Sequence, residues 1–295
     1  MEDEQGRDEA RRDVGGPEYS RVHSELMARM ANGTYGLAFR LPSQEALATE
    51  FHVSRDTVQR VMKTLVSEGW VETRQGSGTR VIRLPPRIPS LGGQSVTLSD
   101  LMNKAFEEAD VTLDVFTLTS ESLAHQIHTQ DERIRGGLYP RLRSLSLRML
   151  LPAEDLAEWP YPKAKEANAS DDAALRERLL ETTRRNTAWI QDKLLGLQAE
   201  SRVSEVELQI RHMRLMPTHK LYLVNGAEML LAPYELVQRP IPLRTRKEGV
   251  EAIDALGVGA AFAHFVKDEN PASQGSGTVS AWKSWFDSLW NMHAQ

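Results

Sequence analysis

Between Ser54 and Lys63 the chain carries Arg55, Asp56, Gln59, Arg60 and Lys63, interleaved with the apolar residues Val58, Val61 and Met62. The apolar set continues through Leu65 and Val66 at spacing i, i+3, i+4, i+7, i+8, which predicts a helix with one buried stripe. The polar residues then fall on its open side, with Arg55 and Gln59 one turn apart. A guanidinium can fork onto guanine and a carboxamide can pair bidentately with adenine. The short hydroxyls of Ser54 and Thr57 suit phosphate oxygens. A merely solvated face is the common explanation for such a pattern, so the flanking elements must decide.

They favour a nucleic-acid reader. A first helix is expected from Ser20 to Met30, with Val22, Leu26 and Met30 on one side and Gly33 as its stop. Leu41-Pro42 is extended, because the residue before proline avoids the α region. Ser43 can cap a second short helix holding Leu47 and Phe51, and Ser54 can cap the third after a tight turn at His52-Val53. Gly69 ends that helix. "WVETRQGSGTRVIRL" then alternates and reads as a hairpin turning at Gly76-Ser77-Gly78. Helix, helix, tight turn, helix, hairpin is the order of a winged helix-turn-helix, whose second motif helix enters the major groove. On this reading Ser43, Ser54, Arg55, Asp56, Thr57, Gln59, Arg60, Arg74, Gln75 and Gly76 face DNA.

Charge supports the assignment by its distribution. The 295 residues carry a formal net charge of −5, yet Tyr19 to Arg83 holds nine basic residues against six acidic ones. A locally basic module on an acidic chain suits a polyanion partner. There is no cysteine, so thiolate metal sites and cysteine nucleophiles are excluded, and a reducing compartment fits; the expected location is cytoplasmic. Residues 1–17 lack apolar periodicity and read as a disordered tail with no signal-peptide core. No apolar run is long enough to span a membrane.

The stretch "LPSQEALATEFHVSRDTVQRVMKTLVSEGWVETRQGSGTRV" closely resembles the N-terminal DNA-binding domain of the GntR family of bacterial transcription regulators. The resemblance covers roughly Tyr19 to Ile82. It implies operator contacts by the arginine before "LPS", by the "SR.T" that opens the third helix and by the glycine-containing wing. Those roles fall on Arg40, Ser54, Arg55, Thr57, Gln75 and Gly76. Family members usually carry a basic residue where this chain has Gln59, so the resemblance does not extend to the operator sequence.

The expected domains are winged helix-turn-helix over 18–84, a proline- and glycine-rich linker over 85–96, and a mixed α/β domain over 97–295, giving an α+β chain overall. In the last domain the pattern predicts helices at 99–109, 121–135, 172–199 and 278–291. Strands are predicted at 111–119, 144–152, 204–213, 219–226, 227–237 and 260–268. "RHMRLMPTHKLYLVNGAEML" resembles the strand region of phospholipase D-like domains, with Lys220 and Asn225 in the lysine and aspartate places but Thr218 where the histidine belongs. The UTRA effector domain of another GntR subgroup is the alternative resemblance; the helix-flanked strands at 111 and 144 favour the first.

Four of the five residues Arg211, Arg214, His219, Lys220 and Tyr234 can be cationic, and they read as a ligand site for an anionic small molecule. His125 and His128 stand one turn apart without a third ligand at matching spacing, so an exposed polar face is favoured over a metal site. A second "QGSG" at 274–277 reads as a loose start to the last helix in preference to a phosphate cradle. The Trp-rich last helix is core on one side and a candidate subunit contact on the other. The resulting expectation is a non-enzymatic, cofactor-free DNA-binding regulator. It would repress from a palindromic double-stranded operator as a homodimer, with an anionic effector and no membrane partner. The competing reading is a DNA-tethered phosphodiesterase.

Overall fold

The computed structural model describes residues 17–31, 34–67, 69–74, 78–84, 96–140, 142–156, 158–166, 168–243, 246–257 and 262–292. The tail over 1–16, the Gly33 stop, the wing tip at Gln75, Gly76 and Ser77, and the linker over 85–95 lie outside them. The chain forms two compact units, 1–87 and 88–295.

The first unit holds α1 (Pro17–Ala31), α2 (Gln44–Phe51), α3 (Arg55–Ser67) and the antiparallel pair β1 (Val71–Arg74) and β2 (Gly78–Val81). Helix α1 starts three residues before the expected Ser20 and takes in Pro17, the last residue of the expected tail; its missing N–H suits a first helical turn. Ser43 caps α2, its Oγ accepting from the Ala46 amide at 3.1 Å. Val22, Leu26, Met30, Leu47, Phe51, Val58, Val61, Met62, Leu65 and Trp70 are all at most 5% exposed and make the core. Val66, expected in the α3 stripe, is 42% exposed, because the stripe drifts off the buried side at the end of the helix.

The second unit holds α4 (Leu98–Ala105), β3 (Asp110–Phe116), α5 (Glu121–Arg135), β4 (Leu142–Pro152), β5 (Lys163–Ala164), α6 (Ala169–Ala199), β6 (Val203–Met213), β7 (His219–Val224), β8 (Glu228–Pro233), β9 (Glu235–Leu243), β10 (Arg246–Leu256), β11 (Ala263–Val266) and α7 (Gln274–Met292). Six strands form one sheet in the order β11-β8-β7-β3-β4-β6. Strands β3, β4 and β6 run parallel, with α5 and α6 as crossovers, and β7, β8 and β11 add antiparallel strands, of which β7 and β8 form a hairpin. Helices α4, α5 and α6 bury Leu101, Ile127, Ile190 and Leu194 against one sheet face. Helix α7 buries Val279, Phe286 and Trp290 against the other.

One expectation is corrected, and one strand was not foreseen. The strand read over 227–237 is two strands in different sheets. β8 ends at Pro233, and β9 starts at Glu235 in a separate antiparallel sheet, β5-β10-β9. β10 went unnoticed because Gly249 and its charged flank break the alternation, and its register shifts there. The aromatic residues of α7 are packing groups: Trp285 meets Phe116 edge-on at 5.2 Å, and Phe286 stacks on Trp290 at 5.8 Å. Arg148 lies over both Phe286 and Trp290 and donates to Asp114 at 2.6 Å and Asp287 at 2.8 Å, tying α7 to β3 and β4.

Candidate nucleic-acid interface

The cap at Ser54 fixes where α3 begins. Its Oγ accepts from the Thr57 amide at 3.1 Å and lies 2.9 Å from the Thr57 hydroxyl. Burial of Val58, Val61, Met62 and Leu65 then fixes how α3 is rotated. Arg55, Asp56, Gln59 and Lys63 are consequently exposed. Among the described residues nothing pairs with the side chains of Arg55, Gln59 or Lys63, so all three are open to an incoming partner. Arg60 is tethered through its Nε to Asp56 at 3.5 Å, which orients it and offsets part of its charge. Thr57 departs from expectation: it is 4% exposed and its hydroxyl faces Ser54, so it positions the cap and offers no hydroxyl to a phosphate.

The wing is held by a third short segment. Leu41 donates its amide to Thr79 and Val81 donates to Phe39, at 2.9 and 3.0 Å, so residues 38–41 lie along β2. That places Arg40 at the base of the wing, bridged to Arg80. Gly78 has a φ of +76°, so glycine is needed there for conformation, and the Arg40 guanidinium lies close against it. Arg74 is exposed at the end of β1 with Glu72 at 3.1 Å. Ser43 and Arg40 are likewise exposed. The start of α3, the cap of α2 and the wing base are thus all exposed, with Arg40, Arg55, Arg74 and Lys63 as their cations. A helix N-terminus adds a partial positive charge suited to phosphate.

Residues 18–81 match the family model described as bacterial regulatory proteins, gntR family. This segment is a GntR-family DNA-binding domain. Within curated relatives, the Exu regulon transcriptional regulator of Escherichia coli (strain K12) is 36% identical over 69 residues, 23% of this chain and 27% of that protein. The arabinose metabolism transcriptional repressor of Geobacillus stearothermophilus is 32% identical over 71 residues, 24% of this chain and 20% of that protein. Among solved structures, the AraR DNA-binding domain in complex with operator ORR3 is 31% identical, covers 22% of this chain and 77% of that chain, and has a TM-score of 0.21. The chain covers 27% or less of the length of these curated relatives. No described helix is long and apolar enough to cross a membrane.

In the second unit the five expected ligand residues do not converge. Arg211 and Arg214 belong to β6 and the turn after it, and β4 and β3 separate β6 from β7 in the sheet. Arg211 donates to the Trp290 carbonyl at 2.6 Å, and the exposed Arg214 donates to Asp155 at 2.6 Å. His219 and Lys220 are neighbours on β7 and so face opposite sides of the sheet. His219 packs against Phe116, Trp282 and Trp285 on the α7 side, and burial lowers its pKa.

Lys220 and Tyr234 do come together. The Lys220 ammonium is buried, lies 5.6 Å from the Tyr234 ring centre, donates to the Gly257 carbonyl and stands 3.4 Å from the Ser122 hydroxyl. Desolvation pulls its pKa down to about 8, with Glu121 acting the other way. The Tyr234 hydroxyl lies 2.8 Å from the Leu118 amide and 3.1 Å from Thr117. Ser120, at the start of α5, is fully buried, does not cap the helix with its side chain, and has no hydrogen-bond partner for its hydroxyl. This is a polar cluster at the carboxyl end of β3, which sequence spacing could not reveal because Ser122 is brought to Lys220, and Thr117 to Tyr234, only by the pairing of distant strands.

The remaining motifs have packing roles. His125 and His128 are half-buried between α5 and α6, not on an exposed face. The His128 ring lies 5.1 Å from Trp189, and burial with a neighbouring imidazole lowers His125 to about 4. A Cβ on Gly275 would meet the Val266 carbonyl at 2.3 Å, so the second "QGSG" lets α7 start directly against β11.

Proposed function

We propose that this chain is a sequence-specific transcription regulator of the GntR type. It represses from a palindromic operator as a homodimer, with DNA affinity set by a C-terminal sensor domain. The observation that carries the reading is the open face of α3, where Arg55 and Gln59 stand unpaired one turn apart beside Lys63, inside a GntR-family domain. Arg55 and Gln59 take base edges. Arg40, Ser43, Ser54, Arg60, Arg74 and the wing residues Gln75 and Gly76 set register on the backbone, with Asp56 orienting Arg60. Repression is supported by the arabinose repressor among the relatives. Two-fold recognition follows from reach, since one α3 reads only a few base pairs.

The sensor reading rests on Lys220, Tyr234 and the start of α5, where an ammonium, several hydroxyls and the positive end of a helix suit an anionic effector. An effector there displaces the Gly257 carbonyl from the amine. A phospholipase D-like fold for this unit is supported by the parallel β3–β4 pair at the expected strands. Against phosphodiester chemistry stands His219, turned away from Lys220 into the α7 side. The test of the DNA reading is Arg55→Ala. Its side chain lies outside the core, so folding is retained, while two bidentate contacts per dimer are lost at about 1–3 kcal/mol each. Operator affinity should fall on the order of 10²- to 10⁴-fold in a binding titration. Unchanged affinity would move the reading head elsewhere.

A further inference from the structure

The six-stranded sheet ends differently on its two sides. At one end β11 has 4 residues. At the other, β6 has 11, and among the described residues no strand pairs with its outer edge. Long unpaired edges are usually blunted by charged side chains, proline, a bulge or a covering segment, and of these β6 has only charges, Glu205, Glu207 and Arg211. β6 has no proline, and its register with β4 runs without a shift from Val203 to Met213. Its core-side residues Val206, Leu208 and Ile210 are only partly buried, although the equivalent residues of β4, Leu145, Leu147 and Met149, are at most 1% exposed.

We infer that β6 is the homodimer interface. Two copies pair antiparallel about a two-fold axis at Leu208, extending the sheet to twelve strands. This rests on the homodimer reading above and names its surface. The strand's sequence is self-complementary in this register. All eleven residues are matched, and residues of equal parity meet on the same face. Leu208 opposes itself and Val206 opposes Ile210, so the partly buried apolar residues cover one another. On the other face Glu205 opposes Arg211, and Glu207 opposes Gln209. A shift that centres Glu207 sets two carboxylates against each other. A shift that centres Gln209 leaves Val206 opposite His212. Helix α6 extends the contact. It turns Trp189 and Lys193 toward α5, where they meet His128 and Asp131. Leu195 is turned off that side and is 47% exposed, with the small Ala188 and Ala199 beside it.

The chain contains no cysteine, so a single introduced thiol reports one contact. Leu208→Cys in the full-length protein sets two thiols directly opposite, about 4.5–5.5 Å apart at Cα, within disulfide range. Ser204→Cys sets its two thiols about 25 Å apart. Mild oxidation should link Leu208→Cys into a covalent dimer and leave Ser204→Cys unlinked, while sedimentation shows wild-type dimer. Should Leu208→Cys misfold, the exposed Glu205→Arg serves. It should weaken the dimer about tenfold by facing Arg211 of the second copy, which the Trp290 carbonyl of its own chain holds in place. A wild-type dimer in which position 208 does not link, in which 204 links as well, or which Glu205→Arg leaves unweakened overturns this surface but leaves dimerisation standing. A wild-type monomer overturns both.

Discussion

Arg55 and Lys220 are both cations without a carboxylate on them, yet they differ in every other respect. Arg55 is exposed at a helix start, and its place on the open face was legible because cap, stripe and open face all lie within thirteen consecutive residues. Lys220 is buried, and its surroundings come from β3, the start of α5 and the segment after β10. No spacing rule connects those segments. The same limit explains Arg211 and Arg214: they are close to Lys220 in sequence but two strands away in the sheet. The depressed pKa of Lys220 has a signed consequence. Its folded value near 8 is below the usual 10.5, so burial of the charged form costs stability below pH 8, and that cost is relieved as pH rises toward 10.5. A bound anion favours the charged amine. Effector affinity should therefore fall as pH rises above 8, with proton uptake on binding near pH 8–9, and Lys220→Met should abolish both. Calorimetry in buffers of different ionisation heat, with inorganic phosphate and small carboxylates as probes, measures this. An anion that releases wild-type protein from DNA and acts equally on Lys220→Met would place the sensor site elsewhere.

At the level of elements, helices and capped turns were read well because their signals are local. α5 lies where expected, at Glu121–Arg135, and α3 is bounded by Ser54 and Gly69 as expected. The small sheet was missed because its strands pair across long sequence separations, β5 with β10, and because β9 carries Pro240 and Pro242 amid a weak alternation. Two glycines of α7 separate a packing role from a flexible one. Gly275 lies against the Val266 carbonyl, whereas a Cβ on Gly277 meets nothing within 4 Å. Gly275→Ala should destabilise the second unit by about 1–3 kcal/mol, because the backbone of β11 must yield. Gly277→Ala should be neutral or stabilise by about 0.5–1 kcal/mol, as alanine does within a helix. Urea unfolding of the two variants decides. Equal effects would mean that α7 does not start against β11.

For the whole molecule, the division of labour is between a module that presents cations to DNA and a larger unit whose sheet supplies a buried polar cluster at one place and an unpaired edge at another. Net charge already pointed to this division: the first module is basic within a chain whose formal charge is −5. What charge and periodicity could not give was the sheet order, which decides both which residues meet Lys220 and which strand is left at the edge. The central claim is that two copies of α3 read one symmetric site. The most direct measurement is selection of duplex DNA from a random library by the purified full-length protein, followed by sequencing of the bound pool. The account predicts enrichment of an inverted repeat with two equal half-sites, lost from the pool selected with Arg55→Ala. Enrichment of a single asymmetric site, or a wild-type pool indistinguishable from the input library, would contradict it.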